Sequence, residues 1–98
     1  MIWSFGDAGT EDVYDGRNTT AARRCCPREL WDRARHKLTV LNGAADLRDL
    51  RSPLSNRLEP LKGKRTGQHS IRLNDQYRIC FVWTTAGPKD VSIIDYHR

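Results

Sequence analysis

Disulfide frameworks, cysteine-based metal sites and membrane insertion each need something that this chain has too little of. It has only three cysteines, an odd number, and Cys25 and Cys26 are adjacent. No pairing joins all three without straining the backbone or leaving a thiol over, which predicts a reducing, cytoplasmic setting. The cysteines lack C-x-x-C spacing, and His36, His69 and His97 fall in different predicted elements, so neither a metal site nor a cofactor is expected. Long apolar runs are missing too. Met1-Ile2-Trp3-Ser4-Phe5 gives way to Gly6 and Asp7 with no basic region and no extended apolar core, which predicts no secretory leader and no membrane span. Internal repeats, low-complexity segments and the phosphate-binding pattern G-x-x-x-x-G-K-[ST] are all absent from the sequence.

What is present is a small, basic, well-mixed chain. Its 98 residues predict one domain over 1–98, because a chain this short buries roughly 60–70% of its unfolded surface in one core and cannot support two. Hydrophobic residues at 38%, with three Trp, three Tyr and two Phe, supply enough apolar mass for that core. The net charge of +5 hides an asymmetry, since Asp7, Glu11, Asp12 and Asp15 outweigh Arg17 and leave residues 1–20 at −3 and residues 21–98 at +8. A basic surface of that size attracts polyanions, of which nucleic acid is the usual one; a merely solvated charged face is the alternative.

Hydrophobic periodicity predicts an α+β architecture: a small antiparallel sheet, made of an N-terminal strand and a C-terminal three-strand meander, packed against two N-terminal helices. Residues 1–5 read as the first strand, Gly6-Asp7 as the cap of a short helix running to about Asp15, and residues 16–20 as a loop. The strongest helix is expected over 28–42. Pro27 stands at its start, Leu30, Trp31, Ala34, Leu38 and Leu41 form one stripe, and Asn42-Gly43 predicts a left-handed stop. Its other face carries Arg28, Arg33, Arg35, His36 and Lys37, either as a solvated surface with ion pairs to Glu29 and Asp32 or as a face that touches RNA. A helical turn is expected around 45–50 and a loop over 52–56. Beyond that the period becomes two: one strand around His69, Ile71 and Leu73, one around Tyr77, Ile79, Phe81 and Trp83, and one beginning at Val91 and Ile93. Asn74-Asp75-Gln76 and Ala86-Gly87-Pro88 supply the connecting turns.

The residues that could carry chemistry gather near this meander. Cutting RNA by its own 2′-hydroxyl requires a base, an acid and fixed cations for the pentacoordinate phosphate. If Ile79 and Phe81 face the core, alternation points Arg78 to solvent or a cleft, where a guanidinium can grip two phosphate oxygens. His97 and His69 are of the side-chain type that suits acid or base work, and Tyr96 can stack on a base or place its hydroxyl against phosphate. Asp95 suits orienting a neighbour. Lys62, Lys64 and Arg65 make a basic loop whose Gly63 and Gly67 permit close backbone approach, and Arg72 adds a cation on the next strand. Glu59 completes a base–acid–clamp set with His97 and Arg78, against the alternative of an ion pair with a neighbouring cation.

The stretch NRLEPLKGKRTGQHSIRLNDQYRICFVW, followed after a short turn by DVSIIDYHR, resembles the C-terminal half of the HigB-type killer toxins of the RelE/ParE superfamily, small bacterial endoribonucleases of type II toxin–antitoxin pairs. The resemblance implies a toxin that enters the ribosomal A site and cleaves bound mRNA, with no metal or other cofactor. It also implies neutralisation by a HigA-like helix-turn-helix antitoxin encoded nearby, contact with operator DNA only through that antitoxin, and no membrane. Position by position, Asp95, Tyr96 and His97 match the family's terminal motif, Arg78 the arginine on the scissile phosphate, and Lys62 and Arg65 the basic-loop positions. The departure is Glu59, where well-studied members have His before Pro-Leu-Lys-Gly. Either Glu59 replaces that base, or His97 does most of the proton transfer, or the activity is weak. The superfamily also includes ParE-like toxins that poison DNA gyrase, and a non-catalytic RNA-binding or autoregulatory module is a further alternative.

Overall fold

The computed structural model describes residues 1–96. Three helices precede a four-stranded sheet: α1 (Ala8–Asp15), α2 (Thr20–Cys25) and α3 (Trp31–Gly43), then β1 (Glu59–Pro60), β2 (His69–Arg72), β3 (Tyr77–Thr84) and β4 (Gly87–Asp95). The strands lie in chain order and pair antiparallel throughout. This is the α+β architecture expected, with the meander where the period-two pattern put it.

Each helix begins at a side-chain or proline signal. The Asp7 carboxylate accepts from Thr10 N at 2.7 Å to start α1, and Thr19 Oγ1 accepts from Ala22 N at 3.0 Å to start α2. Pro27 precedes a 3₁₀ turn, Arg28–Leu30, that runs straight into α3. The predicted stripe of Leu30, Trp31, Ala34, Leu38 and Leu41 is buried in full. It packs on the inner face of the sheet, where Ile71, Ile79 and Ile93 stand side by side in register.

Several local features depart from expectation. The left-handed stop at Asn42-Gly43 is not used: Ala44 continues at φ −70, its N–H reaches Leu41 O at 3.3 Å, and Asn42 Oδ1 instead accepts from Ile2 N at 2.8 Å. The N-terminal segment is extended and runs parallel to β4 with a single bridge, Phe5 to Val91, backed by Trp3 N to Pro88 O at 2.7 Å and Gly6 N to Val91 O at 2.8 Å. Gly87 makes that approach possible, because a Cβ there would lie 2.1 Å from Met1 O. β4 starts earlier than the apolar pattern suggests, since Pro88 already pairs with Trp83. An extra residue in β4 shifts the register between Cys80 and Val82, with Asp90 left-handed at φ 53.

Neither Glu29 nor Asp32 forms an expected ion pair among the described residues. The cations of α3 and of the turn before it reach elsewhere: Arg28 lies 5.6 Å over the Trp31 ring, and Arg35 Nε donates to Val13 O at 3.3 Å. Among the described residues no helix is long and apolar enough to cross a membrane.

Candidate active site

Alternation decides what the outer face of the sheet presents. Glu59, Ser70, Cys80 and Ser92 stand in one row across the four strands, and Arg72, Arg78 and Ile94 in the next. Ser70 is 0% and Cys80 1% exposed, so the middle of this face is a floor of small side chains over which longer ones can fold. Burial pushes the Cys80 thiol up, opposed by the nearby Arg65 and Arg78 charges.

Arg78 is the side chain that folds over this floor. Its Nε donates to Ser70 Oγ at 2.7 Å, and its Nη2 donates to Arg57 O at 2.7 Å. Nη2 also lies 3.3 Å from Glu59 Oε1. Of the two alternatives that alternation leaves, solvent or a cleft, the Arg78 side chain takes the cleft and is only 11% exposed. The reason is non-local: a 3₁₀ turn, Leu54–Asn56, ends in Arg57 at φ 46, which delivers a carbonyl to the guanidinium from outside the sheet. The turn itself is fixed from below by the fully buried Asn56, whose amide donates to Leu50 O at 3.2 Å and whose Oδ1 accepts from Lys37 Nζ.

Around Arg78 opens a cleft of about 310 Å³ lined by Arg57, Glu59, Arg72, Asn74, Asp75, Arg78 and Tyr96. Arg72 pairs with Asp75 across the β2–β3 turn. Asn74 Oδ1 shapes that turn by accepting from Gln76 N at 2.9 Å and Tyr77 N at 2.7 Å. Tyr96 is held at the rim by its own N–H, which donates to Gln76 O at 2.6 Å. On the other face of β3, Tyr77 packs against the core, and its hydroxyl is pushed up by burial and by the Asp95 charge.

Of the residues singled out from the sequence, Glu59, Arg72, Arg78 and Tyr96 meet in this cleft. Asp95 lies outside its lining; it pairs with Tyr77 in register and accepts from Gln76 Nε2 at 3.1 Å. Lys62 and Lys64 are exposed on the loop leading to β2, and Arg65 Nη1 donates to Gln68 Oε1 at 3.3 Å; none of the three lines the cleft. His97 lies outside the described residues. His69 belongs to the other face, stacked on Phe81 with ring centroids 6.4 Å apart. Arg57, Asn74 and Asp75 were missed as cleft residues. The first shows no periodic signal, and the other two read only as turn formers. No group of three or more His, Cys, Asp or Glu among the described residues is placed to hold a metal ion.

Residues 3–97 match the family described as RelE-like toxin of type II toxin–antitoxin system HigB. The chain is 36% identical over 83 residues to Toxin HigB-1 of Vibrio cholerae serotype O1, covering 85% of this chain and 84% of that protein. It is also 38% identical over 55 residues to an uncharacterized protein of Haemophilus influenzae, covering 56% and 54% respectively.

Proposed function

This chain belongs to the RelE-like HigB toxins of type II toxin–antitoxin systems, and we propose that it is a ribosome-dependent mRNA endonuclease that stops translation by cleaving mRNA in the A site. The observation that carries this reading is the fixed guanidinium of Arg78, held on the floor of a cation-rimmed cleft with Glu59 beside it. Among the described residues its bonds run through Nε and Nη2, which leaves the Nη1 edge for a phosphate oxygen. A donor positioned before the reaction needs no reorganisation when charge builds on the pentacoordinate phosphate.

In this mechanism the 2′-oxygen attacks the adjacent phosphorus as Glu59 takes its proton. The P–O5′ bond breaks, and the leaving 5′-oxygen receives a proton from His97, which follows Tyr96 in the chain. The products are a 2′,3′-cyclic phosphate and a 5′-hydroxyl. Arg78, with Arg57 and Arg72 on the rim, offsets the developing charge, while Tyr96 supports the neighbouring base. Asp95 orients the terminal segment, and Lys62, Lys64 and Arg65 contact RNA beyond the cleft. At about 310 Å³ the cleft holds only a short stretch of a strand, so in this reading the ribosome supplies most of the substrate positioning. As a toxin of this family the chain has an antitoxin partner; in this reading the antitoxin is HigA-like, with a helix-turn-helix, is encoded nearby and carries the complex to operator DNA. The toxin itself works in the cytoplasm as one domain.

On programmed ribosomes the purified chain should cut mRNA to the two ends named above, while leaving free RNA mostly intact and gyrase supercoiling unchanged. Equally rapid cleavage of naked RNA would remove the ribosome from the mechanism, and no cleavage on ribosomes would sink the nuclease reading.

A further inference from the structure

A second recess adjoins the cleft and shares a wall with it. Arg33, Lys37, Ser55, Arg72 and Leu73 enclose about 280 Å³, and Arg72 lines the cleft as well. Three of these five side chains are cations, one is a hydroxyl, and none is a carboxylate. Arg33 and Lys37 stand four apart on α3 and therefore on one face.

Both are anchored away from their helix, and to neutral groups. Arg33 Nη1 donates to Leu73 O at 3.3 Å, and Lys37 Nζ donates to the buried Asn56 amide oxygen. The Arg72 pair with Asp75 is weak opposition, since the Asp75 side chain is 98% exposed and such solvated pairs contribute little. Cations held together around a recess in this way raise each other's energy until an anion arrives.

We propose that this recess binds a second phosphodiester of the RNA strand, neighbouring the one held by Arg78, with Arg72 spanning the two. The proposal rests on the nuclease reading for its ligand. RNA is favoured over an acidic peptide because the recess is continuous with the cleft through Arg72: a strand that leaves the cleft on that side crosses directly onto Arg33 and Lys37.

The test uses a fluorescent 2′-O-methyl RNA oligonucleotide, which lacks the attacking hydroxyl, titrated by anisotropy at several low salt concentrations. Arg33→Gln combined with Lys37→Gln should weaken binding about tenfold and flatten the plot of log affinity against log salt by about 0.7, the contribution of one single-strand phosphate. Gln at 37 can still donate to Asn56, and thermal melts check that the variant folds.

A walk of single neutral methylphosphonates along the oligonucleotide provides a second measurement that relies on the wild type. One position should penalise the wild type and leave the double variant unaffected. Unchanged affinity and slope in the variant, no such position in the walk, or no binding by the wild type at low salt would each overturn the subsite. So would loss of antitoxin binding with RNA affinity intact, which would assign the recess to an acidic peptide. Because the probe is uncleavable and no ribosome is present, the result is independent of the cleavage assay; a chain that binds as described yet cuts nothing on ribosomes would refute the nuclease reading alone.

Discussion

Glu59 is asked to do two things, and their separation is measurable. Its carboxylate is half exposed and lies 3.3 Å from Arg78 Nη2, so it is placed to hold the guanidinium, and in the proposed mechanism it also accepts a proton from RNA. Gln keeps the shape and an oxygen for Arg78 but cannot serve as a base. If Glu59 is the base, single-turnover cleavage on ribosomes by Glu59→Gln should fall about 100-fold or more and lose the acidic limb of its pH profile, and His97→Ala should lose the other limb. A Glu59→Gln rate above about a tenth of wild type, with the limb retained, would leave the residue only its ion pair. Alternation along β3 revealed which way Arg78 points. Its near-burial was not legible, because it depends on a carbonyl from left-handed Arg57 and a hydroxyl across the sheet on Ser70, neither of which leaves a mark in the local pattern.

The helices show the same division between local and distant causes. α3 was readable because five apolar residues at helical spacing all face the core. α2 was not, because Thr20–Cys25 has no apolar stripe and Ala22 is its only fully buried residue; it forms because Thr19 caps it and α1 lies close against it. That closeness depends on Gly9, where a Cβ would sit 2.6 Å from Ala21 O and 2.9 Å from Cys25 Cβ. Ala is the better helix former by about 1 kcal/mol, but forcing the helices apart costs about 1–3 kcal/mol, and the contacted Ala21 oxygen is backbone that cannot swing aside. Gly9→Ala should therefore lower the thermal midpoint by several degrees in a calorimetric melt. An unchanged or raised midpoint would mean that α2 shifts freely and is not locked to α1.

Across the molecule, one sheet serves two separable purposes. The inner face, with Ile71, Ile79, Phe81 and Ile93 against α3, holds the fold together. The outer face, with its floor of small residues and its rim of Arg57, Glu59, Arg72 and Tyr96, offers the groups assigned to chemistry. This partition has a genetic consequence. When cells are selected for survival of toxin expression, inactivating substitutions should sort by face: those on the inner face should abolish accumulation of the protein, and those on the outer rim should leave it abundant. Immunoblots of sequenced survivors would show the sorting, and survivors mixed without regard to face would contradict it. Abundant but harmless toxins of the second kind should still sequester antitoxin, so if Glu59 is the base, the single substitution Glu59→Gln turns a poison into a decoy that releases any intact toxin sharing the same cell.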